Sequence, residues 1–265
     1  MPNLKKKSDH HLHLIDGSGF IFRAYYALPP LRRSDGLPVG AVSGFCNMIY
    51  KLVKDGEQKN LPSHIAIVFD HKGKTFRSNI YPNYKMNRTE PPEDLIPQFD
   101  LIRDATRAFG LACVELEGYE ADDIIATYAE IAEKRNWKVT IISSDKDLMQ
   151  LVNDQVTMWD TMKNKKIGAE EVKEKFGVDP NFVIDVQALA GDSIDNIPGA
   201  TGIGIKTAAQ LINQFGSLEK LLAEADKIKQ PKKREVLLNE REKILISKEL
   251  VTLRKDVPLN KSIDE

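Results

Sequence analysis

The sequence predicts an α/β fold, with a mainly parallel central sheet, helices on both of its faces, and a helical region after it. Three observations predict it. Apolar runs of strand length recur through the first two thirds of the chain, amphipathic helical patterns lie between them, and the strand signals stop at about Ile167. Strands that alternate with helices feed a parallel sheet, because each crossover helix carries the chain back to the same edge. The 265 residues, 42% of them hydrophobic and 29% charged, suffice for one to two domains whose core needs neither a disulfide nor a structural metal.

The strand runs are 11–15, 64–69, 111–116 and 138–143, each mostly aliphatic or β-branched and bounded by turn residues. Three helical faces lie among them: Val42, Phe45, Ile49 and Leu52; Leu95, Phe99, Ile102 and Ala105; and Ile124, Ile125, Tyr128 and Ile131. Beyond Ile167, the segments 169–177, 180–190, 205–215, 217–225 and 232–250 are amphipathic and separated by Gly or Pro, which predicts helices. The expected division is an α/β unit over 1–166 and a helical unit over 167–265. One connection, 71–92, is far longer than the roughly 2–6 residues of an ordinary βα loop, and long loops in compact domains carry function.

Cys46 and Cys113 both fall in apolar stretches, as packed thiols in a reducing compartment do. Residues 1–7 are polar and basic and lack the apolar centre of a signal peptide. No apolar run approaches the roughly 18 residues of a membrane-spanning helix. These features predict a cytoplasmic enzyme or binding protein with no membrane partner.

Lys and Arg number 38 against 39 Asp and Glu, a balance of −1 that by itself predicts no attraction to a polyanion. The distribution says more. From 71 to 89 there is no acid, while Lys72, Lys74, Arg77, Lys85 and Arg88 supply five cations interleaved with Phe76, Tyr81 and Tyr84. A second run, Lys227, Lys229, Lys232, Lys233 and Arg234, suits either phosphate contact or a solvated face.

The acids are placed with equal regularity. Asp16 ends the first strand run, Asp70 follows the second, Glu120, Asp122 and Asp123 follow the third, and Asp145 and Asp147 follow the fourth. Each alone reads as a helix cap or a first-turn acid. Together they fall at the carboxyl ends of parallel strands, along one edge of the sheet, where ligands bind. Carboxylates gathered there repel one another, and cations or pKa shifts must offset that repulsion. Oxygen donors without cysteine or a well-placed histidine favour magnesium or manganese over zinc. A site so acidic suits two ions and an in-line displacement at phosphorus. If nine acids are committed to metal, 38 cations face the remaining 30 acids, a surplus that can hold a polyanion.

Asp192 and Asp195 form a further pair at i and i+3, followed by a Gly-rich turn with Gly199, Gly202 and Gly204 that leads into the helical pattern starting at Lys206. Such a turn offers backbone N–H groups to a phosphate. His10, His11 and His13 suggest a metal tract, but their alternation along a strand favours a structural reading, and Trp137 and Trp159 read as packing residues.

These residues resemble those of the 5′ nucleases, and among them the N-terminal 5′-3′ exonuclease domain of bacterial DNA polymerase I. The resemblance rests on Ile15-Asp16-Gly17 with Arg23, Phe69-Asp70, Phe76-Arg77, Tyr84-Lys85-Met86-Asn87-Arg88, Gly118-Tyr119-Glu120-Ala121-Asp122-Asp123, Ser144-Asp145-Lys146-Asp147, and Gly191-Asp192 through Lys206-Thr207-Ala208. It covers the chain from Leu12 to about Pro258. It implies a PIN-like α/β core, an arch over the active site made by 71–92, and a helix-hairpin-helix-like motif at about 185–215. It also implies two Mg2+ ions, replaceable by Mn2+, and a K+ ion at the hairpin.

Carried over position by position, the metal acids would be Asp16, Asp70, Glu120, Asp122, Asp123, Asp145, Asp147, Asp192 and Asp195. Arg23, Lys85 and Arg88 would bind and polarise the scissile phosphate. Arg77, Tyr84, Gly199, Gly202, Gly204, Lys206 and Thr207 would contact DNA, with Tyr84 stacking on a base. The implied partners are DNA with a 5′ flap or a 5′ end beside a duplex, and RNA primer ends, for a monomer in replication and repair. A chain ending at Glu265 would be either a stand-alone nuclease or the nuclease part of a polymerase. Ile205, Ala200-Thr201 and Met86 depart from the usual pattern without removing a ligand. Two rivals remain on the residues alone: a non-catalytic binder of DNA junctions, which would not need nine acids, and a PIN-like ribonuclease, which would not need the Gly-rich turn.

Overall fold

The computed structural model describes residues 10–57 and 62–265, so the reading of residues 1–7 lies outside it. A six-stranded sheet has the order β3-β2-β1-β4-β5-β6. The strands are β1 (His11–Asp16), β2 (His64–Val68), β3 (Ala112–Val114), β4 (Lys138–Ile142), β5 (Val156–Asp160) and β6 (Lys165–Ile167). β1 to β5 pair in parallel, and β6 runs antiparallel to β5. Leu14 and Ile15 on β1 are fully buried on opposite faces, so the central strand is covered on both sides. β5 and β6 were not expected. In β5 only alternate residues are fully buried, so Val156, Met158 and Asp160 do not form an apolar run.

Register places the acids. Asp16 lies opposite Val68 of β2, and Ile15 lies opposite Ile142 of β4, so the three strands end level. Asp70 and Asp145 follow within three residues of those ends and therefore share the edge with Asp16. Helix α1 (Gly17–Ala27) starts at once, capped by the Asp16 carboxylate, which accepts the N–H of Gly19 at 2.9 Å. A Cβ on Gly17 would sit 2.5 Å from the Phe69 ring, so this sharp entry requires glycine.

One face of the sheet packs on α1, α2 (Gly40–Glu57) and α4 (Gln98–Ala108) through Ile15, Phe45, Ile49, Ile67 and Ile102. The short α3 (Phe76–Ile80) lies within the 71–92 connection. Leu95 is buried, but α4 begins only after Pro97. On the other face, α5 (Ala121–Lys134) covers Leu14, Val68 and Ile141. That core runs on without a break into α6 (Ala169–Phe176), α7 (Val183–Ala190), α8 (Ile205–Phe215), α9 (Leu218–Ala223), α10 (Pro231–Asn239) and α11 (Arg241–Val251).

The segment 232–250, expected as one helix, is two. Glu240 leaves helical geometry at φ −104 and ψ 19, and its carboxylate accepts the N–H of Thr201 at 2.8 Å. No described helix is long and apolar enough to cross a membrane. Cys46 and Cys113 are free and half-buried, and burial pushes both thiols up. Trp137 is buried, with the rings of His10 and His64 stacked on it at 4.6 and 4.5 Å, as a packing residue should be.

Candidate active site

A cleft of about 260 Å³ opens at the carboxyl edge of the sheet. Eight of the nine candidate metal acids line it, Asp123 being the exception. Each is held by rigid backbone. Asp16 also accepts from Ser143 Oγ at 2.8 Å, Asp70 accepts the N–H of Ala121 at 2.8 Å, and Asp145 accepts the N–H of Asp147 at 2.9 Å. Ser143 is a residue that sequence reasoning missed. Its hydroxyl also accepts the N–H of Asp145 at 3.0 Å, and so ties two cleft acids together across β1 and β4. A hydroxyl two residues before an acid is the available signal, because such side chains bond nearby backbone.

Crowding shows in the acids themselves. Burial, aided by the charges of Asp70 and Asp145, raises the Asp16 carboxyl to about 6. Burial and Asp145 likewise raise Asp147 to about 6. Asp122 is pushed well above the carboxylate range by burial and by Asp145, Asp16, Asp70 and Asp147. Among the described residues, no three acid, histidine or cysteine side chains are drawn around one point as metal ligands. The donor set nonetheless fits hard divalent ions, since oxygens that repel one another in a half-buried cleft are relieved by added positive charge.

A wall of cations faces these acids. Lys85 Nζ donates to Glu120 Oε1 at 2.6 Å and lies 3.6 Å from Asp195 Oδ2. Arg88 pairs with Asp195 through Nη2 at 2.5 Å, and Lys146 pairs with Asp192. Burial opposes the charge on Lys85, but Glu120, Tyr84 and Asp195 together outweigh it and lift the ammonium above its ordinary range. Lys85 is therefore a fixed cation and not a proton acceptor. Burial also works against ionisation of Asp192, yet Lys146 and the N–H groups of Ile194 and Asp195 hold its carboxyl below its ordinary value.

Five of the expected site residues are engaged with other parts of the fold. Asp123 is fully buried behind the cleft and takes two hydrogen bonds from Arg77, at 2.6 and 2.8 Å, and one from the N–H of Arg254 at 2.9 Å. Its lone pairs are thus used inside the fold. Arg77, only 1% exposed, also donates to Glu120 and to the carbonyls of Leu250 and Thr252, so its guanidinium has nothing left for DNA. Tyr84 is mostly buried at the cleft wall, donates its hydroxyl to Glu120 Oε2 at 3.0 Å and has the Lys85 ammonium 5.0 Å from its ring centroid. Arg23 does not line the cleft and donates instead to Thr161 Oγ1 at 2.7 Å. Gly199 is buried and spends its N–H on Ser247 Oγ. A Cβ there would lie 2.4 Å from Gly191 N, so its glycine serves a close backbone crossing and not a phosphate.

The rest of the hairpin is open. Gly202, Gly204 and Lys206 are exposed and Thr207 is half-buried, and the first turn of α8 carries no acid. In the second basic run, Lys227 pairs with Glu224, Arg234 bonds the carbonyl of Ile228, and Lys229 and Lys232 face solvent.

Comparison with known proteins agrees with this geometry. Residues 11–177 match the family description "5′-3′ exonuclease, N-terminal resolvase-like domain", and residues 178–265 match "5′-3′ exonuclease, C-terminal SAM fold". The chain is 58% identical, over 98% of its length, to DNA polymerase I of Rhizobium leguminosarum, of which it spans 26%. It is 39% identical, over 96% of its length, to the 5′-3′ exonuclease of Aquifex aeolicus, of which it spans 85%. The flap endonuclease of bacteriophage T5, solved as a pseudo-enzyme-product complex with DNA and metal ions, aligns with a TM-score of 0.74 at 25% identity, over 91% of this chain and 89% of that one. A resolvase-like sheet with its acids at the carboxyl edge, continued by the helical half, places the chain in the 5′-3′ exonuclease family.

Proposed function

We propose that this chain is a structure-specific 5′ nuclease that hydrolyses DNA phosphodiester bonds at 5′ ends and 5′ flaps, as primer removal and repair require. One observation carries the reading. Eight carboxylates converge in a cleft whose opposite wall presents Lys85 and Arg88. Asp16, Asp70, Glu120, Asp122, Asp145 and Asp147, with Asp192 and Asp195 from the loop, would hold two divalent ions, magnesium by preference and manganese as a substitute. When bound, such ions supply the positive charge that activates water and steadies the leaving oxygen.

The chain's own residues do the rest. Lys85 and Arg88 lie beside Glu120 and Asp195, where a phosphate can take over their charge-assisted hydrogen bonds. Ser143 holds Asp16 and Asp145 in register. Displacement of the 3′ oxygen leaves a 5′-phosphate and a 3′-hydroxyl. The N–H groups at the start of α8, with Gly202, Gly204, Lys206 and Thr207, offer a phosphate seat for the duplex beside the cut, with a potassium ion at the turn. The chain acts as a monomer in the cytoplasm, alone or as one part of a polymerase, with RNA primer ends as further substrates.

An end-labelled 5′-flap duplex incubated with magnesium, with manganese, and with chelator tests the reading. Short 5′ products should form with either ion and vanish with chelator. An intact flap in both ions overturns it.

A further inference from the structure

Resting on the nuclease reading above, we propose that Asn87 and Asn196 are positioning residues. Together they latch the 81–88 segment onto the 192–197 loop and so set Lys85 and Arg88 over the cleft.

The two strips of chain meet along a seam of crossed hydrogen bonds. Asn196 Nδ2 donates to the carbonyl of Asn83 at 2.6 Å, from the loop to the segment. Asn87 Nδ2 donates to the carbonyl of Ser193 at 2.7 Å, from the segment to the loop. Between them the N–H of Lys85 donates to the carbonyl of Asp195 at 2.9 Å. The loop is itself closed, since Asp192 and Ile197 exchange backbone hydrogen bonds at 2.9 and 2.7 Å. The segment around Lys85 holds only single turns, with Met86 N–H donating to the Asn83 carbonyl at 3.2 Å and Arg88 N–H to the Lys85 carbonyl at 3.1 Å, and Met86, Asn87 and Arg88 are all exposed. It is therefore the partner that needs anchoring.

Backbone strain makes the need specific. Lys85 has φ 56, a left-handed conformation that residues with a Cβ rarely adopt. That conformation turns its side chain toward Glu120, 2.6 Å away. The lysine holds it because the chain is pinned on both sides, by Asn83 before it and Asn87 after it. Asn196 also has φ 55, and asparagine is among the few side-chain residues that tolerate this region. An amide adds a donor without adding charge beside Asp192, Asp195 and Arg88. An aspartate at either position would repel those acids and could not donate.

The test uses Asn87→Ala and Asn196→Gly, the latter because glycine keeps the positive φ and removes only the amide. Each should lower the single-turnover rate of flap cleavage at saturating enzyme by about 10-fold or more, because misplacement of a reacting group by an ångström costs up to about 10²-fold. DNA affinity should stay within about 2-fold. In a background with both Lys85→Ala and Arg88→Ala neither change should lower the rate further, because both act through that pair of cations. Unchanged rates, full multiplicative losses in the background lacking both cations, or weakened DNA affinity with a normal saturated rate would each overturn the latch. Amide hydrogen exchange in the free protein supplies a readout apart from activity. Exchange at Lys85 should quicken in both variants while the β1 and β4 amides stay protected, and unchanged exchange at Lys85 overturns the proposal even if the wild-type chain cleaves no flap.

Discussion

The acids that leave the sheet and the acids of the 192–197 loop share one cleft under opposite electrostatics. On the sheet side, Asp16, Asp122 and Asp147 are buried among like charges and pushed up. On the loop side, Asp192 is held down by Lys146, and Asp195 is paired with Arg88. At Asp16 and Asp122 the sheet half gathers negative charge that an external cation would relieve. The loop half is met by cations from other segments, Lys146 after β4 and Lys85 and Arg88 from the 71–92 connection, and the last two are the ones proposed to meet the phosphate. Metal and phosphate should therefore support one another: positive charge on the acids loosens their hold on the lysine and arginine.

The largest expected effect breaks the sheet side. Asp16→Asn or Asp145→Asn should lower flap cleavage in magnesium by more than about 10²-fold, since even partners behind a metal ligand are worth 10–100-fold. DNA affinity should change little, and a native cleavage rate in either variant would remove that residue from the site. Next comes the buried pair behind the cleft. Arg77→Met leaves Asp123 charged and buried without its cation, and urea unfolding should show a loss of about 3–5 kcal/mol. Arg77→Met with Asp123→Leu should recover much of it, and an equal loss in the double variant would argue against an uncompensated charge.

Two smaller effects sharpen the comparison. In chelator, Asp122→Asn should raise the melting temperature by relieving repulsion, whereas Asp192→Asn should lower it by stranding Lys146. Each shift should be a few degrees, the equivalent of about 1 kcal/mol for a chain of this size. Shifts of the same sign would erase the contrast. The last is a dependence on pH. The Asp147 carboxyl stands at about 6 in the folded chain against 3.8 ordinarily, so its protonated form favours folding. That contribution is fully present below pH 3.8 and is lost as pH rises through 6. Measured in chelator, the stability of the wild-type chain relative to Asp147→Asn should therefore fall between about pH 4 and pH 7, and a flat difference would contradict the shift.

Much of the cleft was legible in the chain. Four strands, the level placement of Asp16, Asp70 and Asp145 at their ends, and the acid-free 71–89 stretch follow from local apolar runs and from the parallel sheet that they imply. The acids, the cationic segment and the Gly-rich turn are all marked by residue type and order along the chain. The differences between neighbours were not legible. Asp122 and Asp123 are adjacent, yet one lines the cleft and the other is sealed against Arg77, because a helix turns about 100° per residue and only packing sets its phase. β5 is hard to read because its apolar residues, Val156, Met158 and Trp159, are broken by Thr157 and closed by Asp160, and the break at Glu240 depends on the N–H of Thr201 some forty residues earlier.

The sequence alone determined that carboxylates would collect at one sheet edge beside a cationic segment, because strand direction and residue order decide which side chains leave the sheet there. Only the tertiary structure decided which acids are already paired and which remain crowded. Arg77 with Asp123, Arg88 with Asp195 and Asn87 with Ser193 join positions 46 to 107 residues apart, and no local pattern encodes a hydrogen bond of that span.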